Sequence, residues 1–153
     1  CIRYVTDRET ARDVLQEGFI KLFNKIDSFS GTGAFGGWVR RIFVTTALEH
    51  LRQNDALKHS ANLEDVGNYI ENVEETVLQK ISADDLMNCI AALADGYRTI
   101  FNLYAIEGYS HAEIAEMLGI SEATSRSQFM RARKILQKNV LSLHGKEYAE
   151  QYK

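Results

Sequence analysis

The sequence predicts an all-α protein in which two small helical domains are joined by a flexible acidic linker. Apolar residues recur at helical spacing in two separate blocks. Proline is absent, and hydrophobic residues make up 45% of the 153 residues, which favours helices around a packed core. The net charge of −3 divides into +2 over residues 1–59, −6 over residues 60–85 and +1 over residues 86–153. Because the acidity lies in the middle, the overall charge does not exclude a nucleic-acid partner for either end.

The first block predicts two helices separated by a turn. Asp7 is suited to cap the first helix, whose periodic apolar positions predict one buried face. These positions are Ala11, Val14, Leu15, Gly18, Phe19, Leu22, Phe23 and Ile26. Small and polar residues at 27–33 favour a turn, and a second helix is predicted from Phe35 to Arg52. Its expected inward positions are Val39, Ile42, Phe43, Thr46, Ala47 and Leu51.

The periodicity weakens between the blocks, and this sets the predicted domain boundaries. We expect a first domain over residues 1–58, a linker over residues 59–82, a second domain over residues 83–142 and a C-terminal tail over residues 143–153. The second domain should begin with helices over 83–93 and 97–104. Their apolar positions are Leu86, Ile90, Leu93, Ile100, Phe101 and Tyr104.

A helix-turn-helix is predicted later in the second block. Ser110 and Glu113 have the spacing of a capping box, and Gly119 suits a sharp turn because positive φ is cheap for glycine. Ser121 can cap the next helix, which is expected to end near Lys138. The inward stripe of that helix is Ser125, Phe129, Ala132 and Leu136.

The second helix of this motif carries a basic face. Between Glu122 and Lys138 there are five Lys or Arg residues and one acidic residue. A positive helix fits the major groove of DNA, where arginine binds guanine edges and other side chains hold phosphates. Ordinary solvated charges are the alternative, and for Arg133 and Lys134 both interpretations stay open. The candidate DNA-binding residues are Arg126, Ser127, Met130, Arg131 and Lys134.

Motifs in both blocks resemble the extracytoplasmic-function (ECF) sigma factors of the sigma-70 family. The sequences YSHAEIAEMLGIS at residues 109–121 and SRSQFMRAR at residues 125–133 are similar to the promoter-reading C-terminal domain of that family. DRETARDVLQEGF at residues 7–19 resembles its polymerase-binding helix, and FGGWVRRI at residues 35–42 resembles its promoter-opening helix. Both motifs in this order, with an acidic segment between them, make the resemblance specific.

The resemblance implies a function in transcription initiation. Such a chain recruits core RNA polymerase to promoters, reads the −35 element with its second domain, and reads and melts the −10 element with its first. The implied polymerase-binding residues, which face the clamp helices of the largest subunit, are Asp13, Gln16 and Glu17. In the family, the loop before Phe35 captures a base flipped out of the −10 element. The residues implied to contact the −10 element are Phe29, Ser30, Phe35, Arg40, Arg41 and Thr45. For Trp38 a place in the core is favoured, and DNA contact is the alternative. The five basic-face candidates would read the −35 element, and the implied partners also include the polymerase flap and an anti-sigma factor.

The sequence departs from the family pattern at several positions. Thr45 stands where Asn is common, Glu49 where Asp is common, and Gln128 where Arg is frequent. Ser125 replaces the usual Val, and its hydroxyl should weaken the packing slightly unless it bonds the preceding turn. The chain opens with Cys1 inside a helical pattern, so we expect the natural protein to include an earlier helix.

Several classes of function are disfavoured. Two cysteines, Cys1 and Cys89, are too few for a disulfide framework and have no partners at zinc-ligand spacing. The scattered histidines are interpreted as structural: His50, His59, His111 and His144. No apolar run approaches the ~20 residues that span a bilayer. We expect a cytoplasmic, non-enzymatic protein without cofactor, membrane insertion or small-molecule substrate.

Three other functions stay open on the residues alone. A conventional helix-turn-helix regulator would use the first block for dimerisation or sensing, and would bind a palindromic duplex without polymerase. A recombinase needs an activated nucleophile or a metal-binding acidic cluster, and the first 59 residues are too few to show one. A structural helical module would use the basic helix only as a solvated face.

Overall fold

The computed structural model describes residues 1–54 and 81–151, with side chains described as far as residue 143. All regular secondary structure in these ranges is helical, as predicted. The chain divides into two compact units, Cys1–His59 and Ser60–Lys153. The predicted linker over residues 59–82 lies outside the described residues except for its last two. Among the described helices, none is long and apolar enough to cross a membrane.

Up to residue 54, the first unit forms one short and two long helices. These are α1 (Ile2–Val5), α2 (Arg8–Lys25) and α3 (Phe35–Gln53), with a 3₁₀ turn, Ile26–Ser28, directly after α2. The Asp7 carboxylate accepts a hydrogen bond from Thr10 N at 2.8 Å, so the predicted cap is confirmed. The predicted second helix is α3, which begins at Phe35 and ends within one residue of the expected position.

The core of this unit lies where α2 and α1 pack against α3. Its buried side chains are Tyr4, Ala11, Val14, Leu22, Ile42, Val44, Thr46, Ala47, Leu48 and Leu51. Of the predicted inward positions on α3, Val39 and Phe43 are only half-buried and the others are buried. The sequence pattern did not single out Val44 and Leu48, which are buried because α3 is covered on more than one side.

Half of the apolar positions predicted to be inward on α2 are exposed, so that part of the prediction is wrong. The exposed fraction of these residues is between 43% and 68%: Leu15, Phe19, Phe23 and Ile26. The reason is that α2 has one long packing partner, so only a narrow arc of it is buried: Ala11, Val14, Gly18 and Leu22.

The second unit contains four helices within the described residues. These are α4 (Ala83–Ala91), α5 (Asp95–Phe101), α6 (His111–Leu118) and α7 (Glu122–Gln151), with a π-helical turn, Asn102–Ile106, after α5. Ser82 caps α4, because its hydroxyl accepts a hydrogen bond from Asp85 N at 3.1 Å. The two helices predicted before the helix-turn-helix are therefore present, with the second continued by the π-helical turn.

The predicted end of α7 near Lys138 is wrong, because the helix continues to Gln151. The buried stripe of α7 extends one turn past Leu136 to Val140, which is 3% exposed. Leu136 and Val140 pack in one cluster with Cys89 and Ile90 of α4. This packing stabilises α7 beyond Lys138. No local stop signal is strong enough to end the helix there.

A buried arginine stabilises the segment that connects α4 and α5. Arg98 is 4% exposed, and its guanidinium donates to the backbone oxygens of Ala91 at 3.2 Å and Leu93 at 2.6 Å. It also pairs with the carboxylate of Asp95. A buried charge is tolerated only when it is paired and hydrogen-bonded. The guanidinium of Arg98 therefore needs these partners, and its bonds hold the two carbonyls in place. Nothing in the sequence pattern pointed to this role.

Gly18 is required by the close approach of α2 and α3. A Cβ atom at this position would lie 2.4 Å from the ring of Phe43. The Phe43 ring also meets Phe19 edge to face, with ring centroids 5.1 Å apart, so a shift of the ring would disturb this contact. The two helices therefore meet through backbone on one side and an aromatic ring on the other.

We expect Gly18→Ala to lower the free energy of unfolding of the first unit by about 1–3 kcal/mol, because the added methyl overpacks this contact. Gly36→Ala is the matched control in α3, where a Cβ meets nothing within 4 Å; it should be neutral or stabilising by up to about 1 kcal/mol. Urea unfolding followed by the fluorescence of Trp38, the single tryptophan, measures both. Equal stability of the two variants would contradict the packing argument.

Candidate nucleic-acid and protein interfaces

The predicted helix-turn-helix is formed by α6 and α7. Ser110 Oγ accepts from Glu113 N at 3.2 Å and Ser110 N donates to the Glu113 carboxylate at 2.8 Å, which completes the capping box. Gly119 follows α6 with φ 67°, a left-handed conformation that glycine adopts without strain. Ser121 Oγ accepts from Thr124 N at 3.0 Å and caps α7. These contacts fix where α7 begins.

One face of α7 is buried and the opposite face is basic. Ser125, Ala132 and Leu136 are buried, and Phe129 is half-buried, so the predicted inward stripe is confirmed. Since successive residues are turned by about 100°, the basic residues fall on the other side of the helix. That side, called the basic face here, contains Arg126, Ser127, Met130, Arg131, Arg133 and Lys134. Lys134 is half-buried and the other five are exposed.

Two residues of the basic face have partners within α7. Arg126 forms an ion pair with Glu122 one turn earlier, and 64% of the Arg126 side chain is exposed. Exposed pairs of this kind stabilise a helix weakly, so Arg126 can exchange its partner at little cost. Ser127 Oγ donates to the Thr124 carbonyl at 3.0 Å.

A cluster of rings that sequence reasoning missed lies behind the basic face. His111 stacks on Tyr104 with ring centroids 4.3 Å apart, and Phe129 lies 4.5 Å from Tyr104. His111 Nδ1 is 2.9 Å from Ser125 Oγ, within hydrogen-bond distance. The hydroxyl of Ser125 therefore bonds a side chain of α6, whereas the sequence suggested the preceding turn as its partner. The polar residue in the buried stripe was the one signal that pointed here.

In the first unit, three aromatic rings gather at the loop before α3. The centroids of Phe29 and Phe35 are 5.3 Å apart, and Trp38 lies 5.3 Å from Phe29 and 5.9 Å from Phe35. Phe35 is 48% exposed and Trp38 is half-buried, so Trp38 belongs to this surface cluster and its assignment to the core is wrong. Gly31 and Gly33 have φ of 73° and 84°, which glycine adopts without strain, and the loop that contains them is exposed.

The remaining predicted −10 residues lie in or beside the same region. Ser30 is exposed in the loop, where its hydroxyl is 2.7 Å from that of Thr32. Arg40 and Arg41 are exposed on α3. Thr45 is half-buried, and its hydroxyl donates back to α3, 2.7 Å from the Arg41 carbonyl and 2.9 Å from the Ile42 carbonyl. This internal bond leaves Thr45 able to accept a hydrogen bond rather than to donate one.

The three predicted polymerase-binding residues, Asp13, Gln16 and Glu17, are exposed on α2. Glu17 is 2.7 Å from Lys21 Nζ, and Lys21 lies 2.5 Å from Glu49 on α3. Partial burial alone would lower the pKa of Lys21, but its hydrogen bonds to Glu17 and Glu49 outweigh this and raise the pKa above its ordinary value. Lys21 therefore stays charged and holds α2 to α3.

Apolar side chains accompany these polar ones on the exposed part of α2. Ile20 is 55% exposed and Phe23 is 68% exposed, and both lie within two turns of Gln16. We call the exposed set the α2 surface: Asp13, Leu15, Gln16, Glu17, Phe19, Ile20 and Phe23. Sequence reasoning had assigned most of its apolar members to the core. Of the residues described, no group of three or more His, Cys, Asp or Glu side chains could hold a metal ion.

Comparison with known protein families gives two matches that correspond to the two units. Residues 1–57 match the family model described as Sigma-70 region 2, and residues 83–136 match the one described as Sigma-70, region 4. A solved structure of the sigma factor RpoE in complex with the anti-sigma factor NepR, from Bartonella quintana, shares the fold. Its TM-score is 0.59 at 21% identity, over 91% of this chain and 86% of that one.

Curated relatives share more of the sequence. The ECF RNA polymerase sigma-E factor of Haemophilus influenzae is 32% identical over 151 residues, which cover 92% of this chain and 79% of the relative. The RNA polymerase sigma-H factor of Pseudomonas aeruginosa is 32% identical over 90% of this chain and 76% of its own length. The sigma-E factor of Escherichia coli K12 is 32% identical over 92% of this chain and 78% of its own length. The chain therefore belongs to the extracytoplasmic-function sigma factors of the sigma-70 family.

Proposed function

We propose that this chain is a sigma factor that binds core RNA polymerase, directs it to a set of promoters and starts transcription there. The observation that carries the proposal is the presence of two chemically different exposed helical surfaces, one in each matched unit. The basic face of α7 suits a DNA groove, and the α2 surface suits a protein partner. The chain acts by binding, and the polymerase supplies the chemistry.

The basic face of α7 would read the −35 element from the major groove. Arg126 and Arg131 are the candidates for guanine edges, because the arginine fork matches the two acceptors of guanine. Met130, 52% exposed, offers an apolar contact for a thymine methyl, while Ser127 and Lys134 would contact base edges or phosphates. Arg126 would leave Glu122 on binding.

The loop and aromatic cluster before α3 would hold the −10 element. Extruding a base costs a few kcal/mol, and a pocket for the flipped base supplies part of that free energy. Phe29 and Phe35 offer ring faces for stacking, and the small residues around Ser30 would let a base approach the backbone. Arg40 and Arg41 would hold phosphates, and Thr45 would accept a hydrogen bond from a base edge.

The α2 surface would bind the clamp helices of the largest polymerase subunit. Asp13, Gln16 and Glu17 present acceptors to a basic partner, and Ile20 and Phe23 add apolar area that would leave water on binding. Exposed apolar side chains around a polar group are typical of protein interfaces. The second unit would in addition contact the polymerase flap.

The protein would work in the cytoplasm, where an anti-sigma factor could cover these surfaces. The Bartonella quintana sigma factor RpoE, which shares the fold, was solved in complex with the anti-sigma factor NepR. The exposed apolar side chains of the α2 surface would suit such a partner as well as the polymerase.

A conventional helix-turn-helix regulator is the alternative that the sequence left open. Such a protein binds duplex DNA alone, usually as a dimer on a palindrome. The match of the first unit to Sigma-70 region 2 does not favour it. Run-off transcription on a promoter library, with core polymerase and with or without the chain, separates the two functions. New start sites that depend on the chain support the sigma-factor function, and duplex binding without new starts supports the regulator.

We expect the double variant Asp13→Lys with Glu17→Lys to bind core polymerase at least about 100-fold more weakly, because like charges facing each other across an interface cost several kcal/mol. The variant Asp27→Lys with Asp84→Lys has the same change of charge at exposed positions outside the α2 surface, and should bind like the wild type. Anisotropy of labelled chain titrated with core polymerase measures both. Equal weakening in the two variants would mean that overall charge, and not the α2 surface, controls binding.

We expect Arg131→Ala to weaken promoter use by about 1–3 kcal/mol in a way that depends on one −35 base pair. In contrast, Arg41→Ala should weaken all promoters to a similar degree and reduce the salt dependence of binding by about one phosphate contact. Transcription from promoters substituted one base pair at a time, at several salt concentrations, gives both results. Full activity of both variants would remove these two assignments.

A further inference from the structure

A side-chain hydrogen bond joins α6 to the buried stripe of α7. His111 Nδ1 and Ser125 Oγ are 2.9 Å apart, and Ser125 is fully buried. Because no water reaches this hydroxyl, the imidazole of His111 is the partner that satisfies it. An apolar contact at this position would not be directional, whereas a hydrogen bond fixes both a distance and an angle.

His111 is itself held by the rings around it. Tyr104 stacks on its ring at 4.3 Å with an angle of 13° between the planes. Phe129 meets the edge of the same ring, with centroids 5.8 Å apart. His111 also occupies the first position of α6, next to the capping box at Ser110. The imidazole is therefore held by Tyr104 of the π-helical turn and by Phe129 of α7, in addition to its hydrogen bond with Ser125.

Ser125 directly precedes the residues proposed to touch DNA. Arg126 and Ser127 follow it in the chain, and Met130 and Arg131 lie in the next turn of the same helix. A helix is stiff over so short a distance, so a contact that fixes Ser125 also fixes where these side chains point. Loss of the bond would allow a small rotation of α7 against α6 that leaves its buried stripe covered.

We propose that His111 and Ser125 are positioning residues for promoter recognition: their hydrogen bond sets the orientation of α7 in the DNA groove and so sharpens the −35 preference. This inference rests on the function proposed above. Neither residue touches DNA itself. They act through Arg126, Ser127 and Arg131. The directional hydrogen bond keeps these side chains within the narrow range of positions that base recognition requires.

The test uses the whole chain with core polymerase on a promoter library in which both the −35 and the −10 elements are randomised. Sequencing the transcripts gives the base preference at each element. We expect His111→Phe, which keeps a ring at this place but removes the bond, to flatten the −35 preference by about tenfold. The −10 preference should stay unchanged.

A merely structural role would reduce the fraction of active molecules and leave both preferences as they were. His50→Phe in the first unit is the matched control and should leave the −35 preference intact.

A second variant separates orientation from stability. In His111→Phe with Ser125→Ala both polar partners are removed, so the thermal stability lost in the single variant should return. The −35 preference should stay flat, because no directional bond is restored. An unchanged preference in His111→Phe, or a preference restored in the double variant, would overturn this inference alone. A wild-type chain that starts no transcripts from the library would overturn the proposed function with it.

Discussion

The buried stripe of α7 is the constraint on which the second unit depends. Ser125 and Ala132 are completely buried, and Leu136 and Val140 are nearly so. Leu93 and Tyr97 pack against Ala132, while Cys89 and Ile90 pack against the two later residues. Rotating α7 would expose this stripe and bury arginines, and both changes are costly. The same helix therefore completes the core and, as a consequence, displays the basic face toward solvent.

In the first unit, the orientation of α2 is fixed by a narrower contact with α3. Backbone at Gly18 meets the ring of Phe43, and Lys21 joins Glu17 to Glu49 across the same pair of helices. These contacts use only a narrow strip of the surface of α2. Most of the helix surface therefore remains accessible. The exposed apolar residues are a liability in an isolated protein. They become useful if a partner covers them, as we propose for the polymerase.

Local signals explain which features could be predicted from the sequence. The caps at Asp7, Ser110 and Ser121 and the turn at Gly119 depend on residues a few positions apart, and all four are present in the structure. Likewise, the basic face follows from helical periodicity alone. The family resemblance supplied the proposed roles of the site residues, which periodicity could not have given.

The features that were missed depend on contacts between distant parts of the chain. The exposure of Phe23 reflects how few elements cover α2, and the continuation of α7 past Lys138 reflects the contact of Val140 with α4. Similarly, His111 and Ser125 are 14 residues apart and pair across two helices. A period of 3.6 residues describes one helix, so it contains no information about which neighbours that helix will meet.

The most direct test of the proposed function is whether this chain, together with core polymerase, opens promoter DNA. Permanganate reacts with unpaired thymines, so it reports strand separation at the −10 element. We expect reactive thymines there only when polymerase and the chain are both present. Binding of the chain to a duplex without polymerase, and no reactive thymines when polymerase is added, would contradict the sigma-factor function.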